Sequence, residues 1–272
     1  CPFRCIFCAS RVIFESRIRY RSMDAVMEEI DELVGRHGAR ELHVWDDNFT
    51  LKRDRVMEFC EKLIARRHRN LSLMVPAGIK PDRGDYEMFR AMKAAGFYSV
   101  CVAVESGDKD IMAKLGKKVD VDKVVGVLKE ARRAGLLLNG FFMLGLPWDT
   151  EETMRRNIDH ACRLPIHQAM FFVTIPFPGT ELYDIVKEKG RFLYHNEKAL
   201  YEEGYFLGRA AYEMPGYFDA ETLERMFKLA NRRFYFRPWT LLVLFLRRLH
   251  SPAHFVYLVR KWLRVLLRGR QF

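Results

Sequence analysis

Through most of its length the chain repeats one pattern, a short apolar run followed by a longer stretch with apolar residues at helical spacing. The short runs fall at 41–45, 71–75, 98–104, 136–144 and 169–175, and the helical stretches at 23–35, 55–66, 86–95, 122–134 and 151–162. Short runs that are apolar on both faces, with helices between them, indicate a parallel sheet covered on both sides. Gly96 and Gly135 follow two of the helices, where a residue free to turn left-handed ends a helix. The pattern predicts an α/β fold, a partial (β/α)6 TIM-like barrel with a C-terminal helical extension. Five strands are visible, and the sixth is expected upstream of Cys1. Polar and glycine clusters sit after the strands, at Asp46-Asp47, Glu105-Ser106, Gly145-Leu-Pro147 and Pro176-Phe-Pro-Gly-Thr180. In barrels of this kind the active site lies at those strand ends.

Six cysteines stand at 1, 5, 8, 60, 101 and 162, and three of them crowd into the first eight residues. A secreted disulfide framework would spread them differently. Cys60, Cys101 and Cys162 sit singly in apolar patterns and read as small buried hydrophobes in a reducing, cytoplasmic setting. Cys1-Pro-Phe-Arg-Cys5-Ile-Phe-Cys8 carries the chemistry. Three thiolates in one tight loop can each ligate one iron of a cubane, which leaves the fourth iron open. Zinc competes for such a loop, but a structural zinc site takes four protein ligands, and the nearest histidine is His37. A chance cluster of buried cysteines is the third reading.

The C-x3-C-x-aromatic-C spacing resembles the signature loop of the radical S-adenosylmethionine (SAM) superfamily, and later segments resemble its cobalamin-binding subgroup. Tyr20-Arg-Ser-Met-Asp-Ala-Val-Met-Glu-Glu-Ile30 is similar to the first-helix pattern, and Trp45-Asp-Asp-Asn-Phe-Thr50 to the second-strand ending. Val104-Glu-Ser-Gly107 with Lys117 resembles the fourth-strand motif, and Gly140-Phe-Phe-Met-Leu-Gly145-Leu-Pro the fifth. Ile175-Pro-Phe-Pro-Gly-Thr-Glu-Leu182 resembles the sixth-strand ending. The resemblance implies that Cys1, Cys5 and Cys8 hold a [4Fe-4S] cluster. It implies that Phe7, Asp46, Asp47, Glu105, Ser106, Lys117, Gly140, Gly145 and Pro176 form the SAM site, with Asp46 and Asp47 at the methionyl ammonium. Helix capping remains the plainer role for those aspartates, and a solvated surface position the plainer one for Lys117. The subgroup has Gly then Glu after the proline, where this chain has Trp148 and Asp149. The implied activity is reductive cleavage of SAM to a 5'-deoxyadenosyl radical, used to methylate or cyclise an unactivated carbon. Cobalamin would be bound by an N-terminal domain of about 130 to 200 residues upstream of this chain. No catalytic acid, base or second hydrogen donor can be picked out.

The formal charge of +11 is unevenly placed. From Arg225 to the end there are twelve Lys and Arg and no acid, leaving 34 basic against 35 acidic residues before it. A nucleic-acid binder would be basic throughout, so none is expected as a partner. Residues 1–190 read as the radical SAM core and 191–272 as a helical, basic region, with 191–218 unassigned. In the tail Arg225, Arg232, Arg237, Arg247, Arg248, Arg260, Lys261, Arg264 and Arg268 alternate with apolar residues. That pattern suits a solvated cap, a peripheral contact with the inner membrane face, or an acidic electron donor of the flavodoxin or ferredoxin type. A membrane contact would fit a lipid-like rather than a small-molecule substrate. The run 241–246 is far short of the ~20 residues of a span. Two other readings stand beside the first: a cobalamin-free relative of the methylthiotransferase or porphyrinogen oxidase type, and a non-catalytic zinc-binding module.

Overall fold

The structure, a computed structural model, describes residues 1–194, 196–199 and 208–237. Helices α1 (Ser10–Phe14) and α2 (Met23–Gly35) precede strand β1 (Glu41–His43), and a 3-10 turn at Phe49–Leu51 leads into α3 (Arg53–Arg66). Then follow β2 (Ser72–Ile79), α4 (Tyr86–Ala94), β3 (Phe97–Glu105), α5 (Lys109–Lys114), α6 (Val121–Arg133) and β4 (Leu137–Leu144). The series continues through α7 (Glu151–Arg163), β5 (Gln168–Val173), α8 (Glu181–Lys189), β6 (Arg191–Phe192), α9 (Glu197–Ala199), β7 (Tyr212–Glu213) and α10 (Ala220–Tyr235). The first five strands form one parallel sheet in the order β1-β2-β3-β4-β5. Strands added strictly in sequence order, with no switch point, give the winding of a (β/α) barrel rather than of a doubly wound sheet.

The chain divides into two compact units, Cys1–Phe142 with Arg163–Met170, and Met143–Cys162 with the chain from Phe171 onward. In the first unit, β3 is buried on both faces through Phe97, Ser99, Val100, Cys101, Val102 and Val104, as its unbroken apolar run requires. Met88, Phe89 and Met92 of α4 and Val124, Leu128 and Ala131 of α6 are the apolar stripes that those helices bury. Aspartates start the helices: Asp85 accepts from Met88 N at 2.8 Å, and Asp108 accepts from Asp110 N and Ile111 N at 3.0 and 3.1 Å.

β2 runs on to Ile79, past Pro76 and beyond the run at 71–75 that marks it in the sequence. Its register against β3 slips between Val75 and Ile79, so the residues without a ladder bond are absorbed in an irregularity. Gly96 takes φ +102°, and a Cβ there would lie 2.8 Å from the Leu71 carbonyl oxygen. Gly96→Ala is therefore expected to cost about 1–3 kcal/mol, strain and clash acting together. A urea midpoint unchanged in that variant would contradict the assignment.

In the second unit the two-stranded ladder β6–β7 pairs Arg191 with Glu213 and Phe192 with Tyr212, antiparallel, inside the segment that had no assignable period. Two-residue strands are too short to show alternation. Asp219 caps α10 through Thr222 N at 2.8 Å, where the return to helix was expected. The fully buried Tyr212 donates its hydroxyl to the Gly145 carbonyl at 2.5 Å. Arg225 joins α10 to Glu151 at the start of α7, 2.7 Å away. Hydrogen bonds from Arg225 and then Arg155 hold the Glu151 carboxyl down to about 2 from 4.5. A depressed carboxyl stabilises the fold above its unfolded value and loses that effect as pH falls through the folded one. The stability advantage of wild type over Glu151→Gln should thus be level above pH 4.5 and vanish by about pH 2. Urea titrations at a series of pH values check this, and an advantage constant across that window would contradict it.

No helix among the described residues is long and apolar enough to cross a membrane. The tail residues Arg247, Arg248, Arg260, Lys261, Arg264 and Arg268 and the run 241–246 lie outside the described residues.

Candidate functional site

Residues 1–8 form irregular backbone ahead of α1, closed by a turn in which Cys8 N donates to Cys5 O at 3.1 Å. Ile6 anchors the loop. It is buried, and its N–H donates to the Leu115 carbonyl at 3.1 Å. Gly116 lies so close beneath that a Cβ on it would be 2.7 Å from the Arg4 carbonyl oxygen. Cys1, Cys5, Cys8 and Phe7 are all partly exposed, and no cysteine is in a disulfide. Burial pushes the Cys5 thiol up to about 11, against the pull of Lys117 and with the push of Cys8 and Glu105. Cys5 thus lies within electrostatic reach of Cys8, Lys117 and Glu105. No group of three Cys, His, Asp or Glu side chains among the described residues is already drawn together tightly enough to hold a metal ion.

The ends of three strands meet this loop. After β1, Asp47 accepts a hydrogen bond from the Ser10 hydroxyl and lies 3.5 Å from the Cys1 backbone nitrogen. Neighbouring Asp46 is exposed. Neither aspartate caps a helix in the structure, since the 3-10 turn starts from Asn48 without a side-chain bond. Two buried polar atoms in this stretch, Asn48 Oδ1 and Thr50 Oγ1, have no hydrogen-bond partner. Such atoms are costly unless something fills the gap.

At the end of β2 the ammonium of Lys80 is buried, 2.8 Å from Asp82 and 2.6 Å from the Lys118 carbonyl oxygen. It also sits 5.1 Å from the centroid of the Phe3 ring, inside the cysteine loop. Lys80 and Asp82 escaped the sequence reading, and Asn48 and Thr50 entered it only as part of the stretch Trp45–Thr50. A lysine ending a buried strand, with an acid two residues on, was the signal available for the first two.

At the end of β3, Glu105 takes φ +64°, rare for a residue with a side chain. The register against β4 slips between Ala103 and Glu105, a bulge that turns the carboxylate inward. Glu105 and Lys117 are both buried, with Nζ 2.5 Å from Oε1 and 2.6 Å from the Ala103 carbonyl oxygen. Lys117 is therefore not the solvated surface lysine that its sequence position also allowed. The Ser106 hydroxyl accepts from Asp108 N at 3.1 Å, so at least part of its capacity goes into the turn.

The other expected site residues sit in apolar packing. A Cβ on Gly140 would meet the Phe142 ring at 2.7 Å and Ile166 at 2.8 Å, so its smallness serves the core. Gly145, at φ +76°, packs against Leu223 in the second unit, where Pro176 is also buried. Asp149, which stands where a Gly-Glu pair was looked for, is buried, accepts from Leu146 N at 2.9 Å and from the Thr153 hydroxyl at 2.8 Å, and closes its own loop. Cys60 and Cys101 are buried as expected, whereas Cys162 is partly exposed.

Comparison with known proteins points one way. The family described as the Radical SAM superfamily matches residues 1–161. An uncharacterized methyltransferase of Pyrococcus horikoshii is 27% identical over 268 residues, covering 98% of this chain and 55% of that protein. Cytidylyl-2-hydroxyethylphosphonate methyltransferase of Streptomyces wedmorensis is 29% identical over 241 residues, 86% of this chain and 44% of the relative. Among solved structures, the radical S-adenosylmethionine methyltransferase TsrM of Kitasatospora setae, with cobalamin and a [4Fe-4S] cluster bound, superposes with a TM-score of 0.67. It does so at 19% identity, over 84% of this chain and 50% of that one, a likeness of fold. The chain spans about half the length of the relatives it matches.

Proposed function

The chain belongs to the radical SAM superfamily, and from that footing we propose that it is the core of an enzyme that binds a [4Fe-4S] cluster through Cys1, Cys5 and Cys8 and cleaves SAM reductively. The observation that carries this is the convergence of the β1, β2 and β3 ends on one cysteine loop, through Asp47, Lys80 and the Glu105–Lys117 pair. The donor set fits. Three thiols on one short stretch of irregular backbone are the ligand type and number that a cubane with one open iron takes. Such a cluster supplies the electron that splits SAM into methionine and a 5'-deoxyadenosyl radical.

What the chain's own residues do follows from chemistry and position. Cys5, a thiol at neutral pH because burial raises it, gives up its proton when it becomes a ligand. Lys117 lies within electrostatic reach of Cys5 and favours that thiolate, while its bond to Glu105 holds the bulge. Asp46 and Asp47 offer carboxylates to the methionyl ammonium. The unpartnered Thr50 hydroxyl and Asn48 carbonyl are placed to complete a polar ligand's hydrogen bonds. Phe7 and Ser106 complete the first unit's share of the SAM site in this reading, with residues 1–190 as the core, whereas Gly140 and Gly145 serve packing. Two similar relatives are named as methyltransferases, and one superposed structure carries cobalamin. These support cobalamin-dependent methylation by the whole protein. Cyclisation as the other outcome, a small-molecule or lipid-like substrate, a corrinoid held outside this chain and an electron from a flavodoxin or ferredoxin complete the proposal.

Anaerobic reconstitution with iron, sulfide and a strong reductant tests the proposal. A brown chromophore whose spin signal changes on adding SAM, together with 5'-deoxyadenosine in the products, is the expected result. Zinc without iron or sulfide would overturn it. Asp46→Ala combined with Asp47→Ala should weaken SAM binding by calorimetry by about tenfold, roughly 1.4 kcal/mol, while iron content stays constant. Undiminished affinity would remove those two carboxylates from the site.

A further inference from the structure

Soon after Cys8 the chain forms a short basic surface that the described residues leave exposed. α1 buries none of its residues. Val12, Ile13 and Phe14 are exposed, Ile13 to 68%, and so are Ile18 and Tyr20. Residues 1–22 carry five arginines and a single acid, Glu15. Arg4, Arg11 and Arg19 are exposed and form no ion pair among the described residues, whereas Arg21 is paired with Glu29. Exposed apolar side chains interleaved with free guanidinium groups are the composition of a protein-binding patch, an apolar centre with a charged rim.

The segment is held in place although its outer face is bare. Glu15 and Ser16 both take left-handed backbone, at φ 53° and 57°, and reverse the chain after α1. Lys52 and Arg55 then sit over the Tyr20 ring at 4.7 and 4.9 Å, and Arg55 Nη2 donates to the Arg21 carbonyl at 2.8 Å. Those two cations extend the positive surface. The acids that meet this segment include Glu15, paired with Arg17, Glu29, paired with Arg21, and Asp47, engaged with Ser10, so Arg11, Arg19, Lys52 and Arg55 carry its positive excess.

We propose that residues 11–21, with Lys52, are the docking surface for an acidic redox protein that delivers the electron to the cysteine loop. The proposal rests on the cluster assignment above. Two observations select this occupant. The positive patch complements an acidic partner, and complementary charge raises encounter rate and fixes register. The patch also begins at Arg11, three residues beyond a proposed iron ligand, so a partner seated there lies beside the loop that must be reduced. A lipid surface suits it less, because a five-residue helix offers no extended apolar face to lay in a bilayer.

The test measures binding directly, using a purified acidic flavodoxin on the reconstituted full chain by surface plasmon resonance. Wild type is expected to bind with an affinity that falls as salt is raised. Arg11→Glu with Arg19→Glu should raise the Kd at least tenfold and flatten the salt dependence. Ile13→Ser should speed dissociation. Arg132→Glu, on the far side of the first unit's sequence, should leave binding unchanged. All these side chains are exposed, so folding should survive, and Arg11→Gln with Arg19→Gln provides a milder pair should the reversal not express. Equal binding by the reversal variant, binding indifferent to salt, or affinity for phosphatidylserine vesicles without affinity for flavodoxin would each overturn the proposal. Iron and sulfide measured on the same samples keep the two ideas apart. A loaded cluster without docking sinks only this surface, and absence of a cluster sinks the reading beneath it.

Discussion

Cys5→Ala is expected to abolish the cluster and with it all SAM cleavage, while leaving the apo protein folded. An outer-sphere change at a metal site costs 10–100-fold in affinity, so loss of one of three thiolates should exceed about 100-fold. Iron and sulfide should fall to background after anaerobic reconstitution, and no 5'-deoxyadenosine should form. The fold should tolerate the change because Cys5 is only partly buried and Ile6 anchors the loop through its own burial and its bond to Leu115. Stability of the apo form should move by less than about 1 kcal/mol in urea. Cys1→Ala and Cys8→Ala should behave alike, whereas Cys60→Ala should keep its iron and lose stability instead, because that thiol is fully buried and raised to about 12 by burial. Wild-type iron content in the Cys5 variant would refute the ligand assignment.

Lys117→Met should have the largest effect on the fold itself. It strips a buried carboxylate of its ammonium and leaves the Ala103 carbonyl oxygen without that donor. Breaking a buried ion pair from one side costs about 3–5 kcal/mol, because the remaining charge keeps its desolvation penalty. Urea denaturation of the apo protein should show a loss in that range. The double change Lys117→Met with Glu105→Gln should recover part of it, since no charge is then stranded. A loss below about 1 kcal/mol would mean that water reaches the pair, and the buried geometry would be wrong. In the loaded enzyme the single change should also hinder cluster insertion, because Lys117 favours the Cys5 thiolate.

Much of the fold was legible in the chain because parallel strands covered on both sides must be apolar throughout. β3 and β4 were read to within two residues for that reason. The return to helix at Asp219 was also legible, whereas α5, a six-residue helix capped by Asp108, was too short to show a period. β2 was cut short at Pro76, because a proline without an N–H looks like a stop until a register slip elsewhere excuses it. The β6–β7 pair left no trace, since two residues carry no period.

The candidate site divides in the same way. Cysteine spacing is a property of one loop, so the iron chemistry could be read from eight consecutive residues. Which partners stand around that loop could not. Lys80 lies over Phe3, and Lys117 meets Glu105, only because three strand ends are brought side by side. Burial then decides that both lysines are ion-paired rather than solvated, and that Gly140 serves packing. Ligand type and element order are local and covalent, written along the chain. Proximity and desolvation belong to residues far apart in sequence, and they come into existence only when the sheet closes around them.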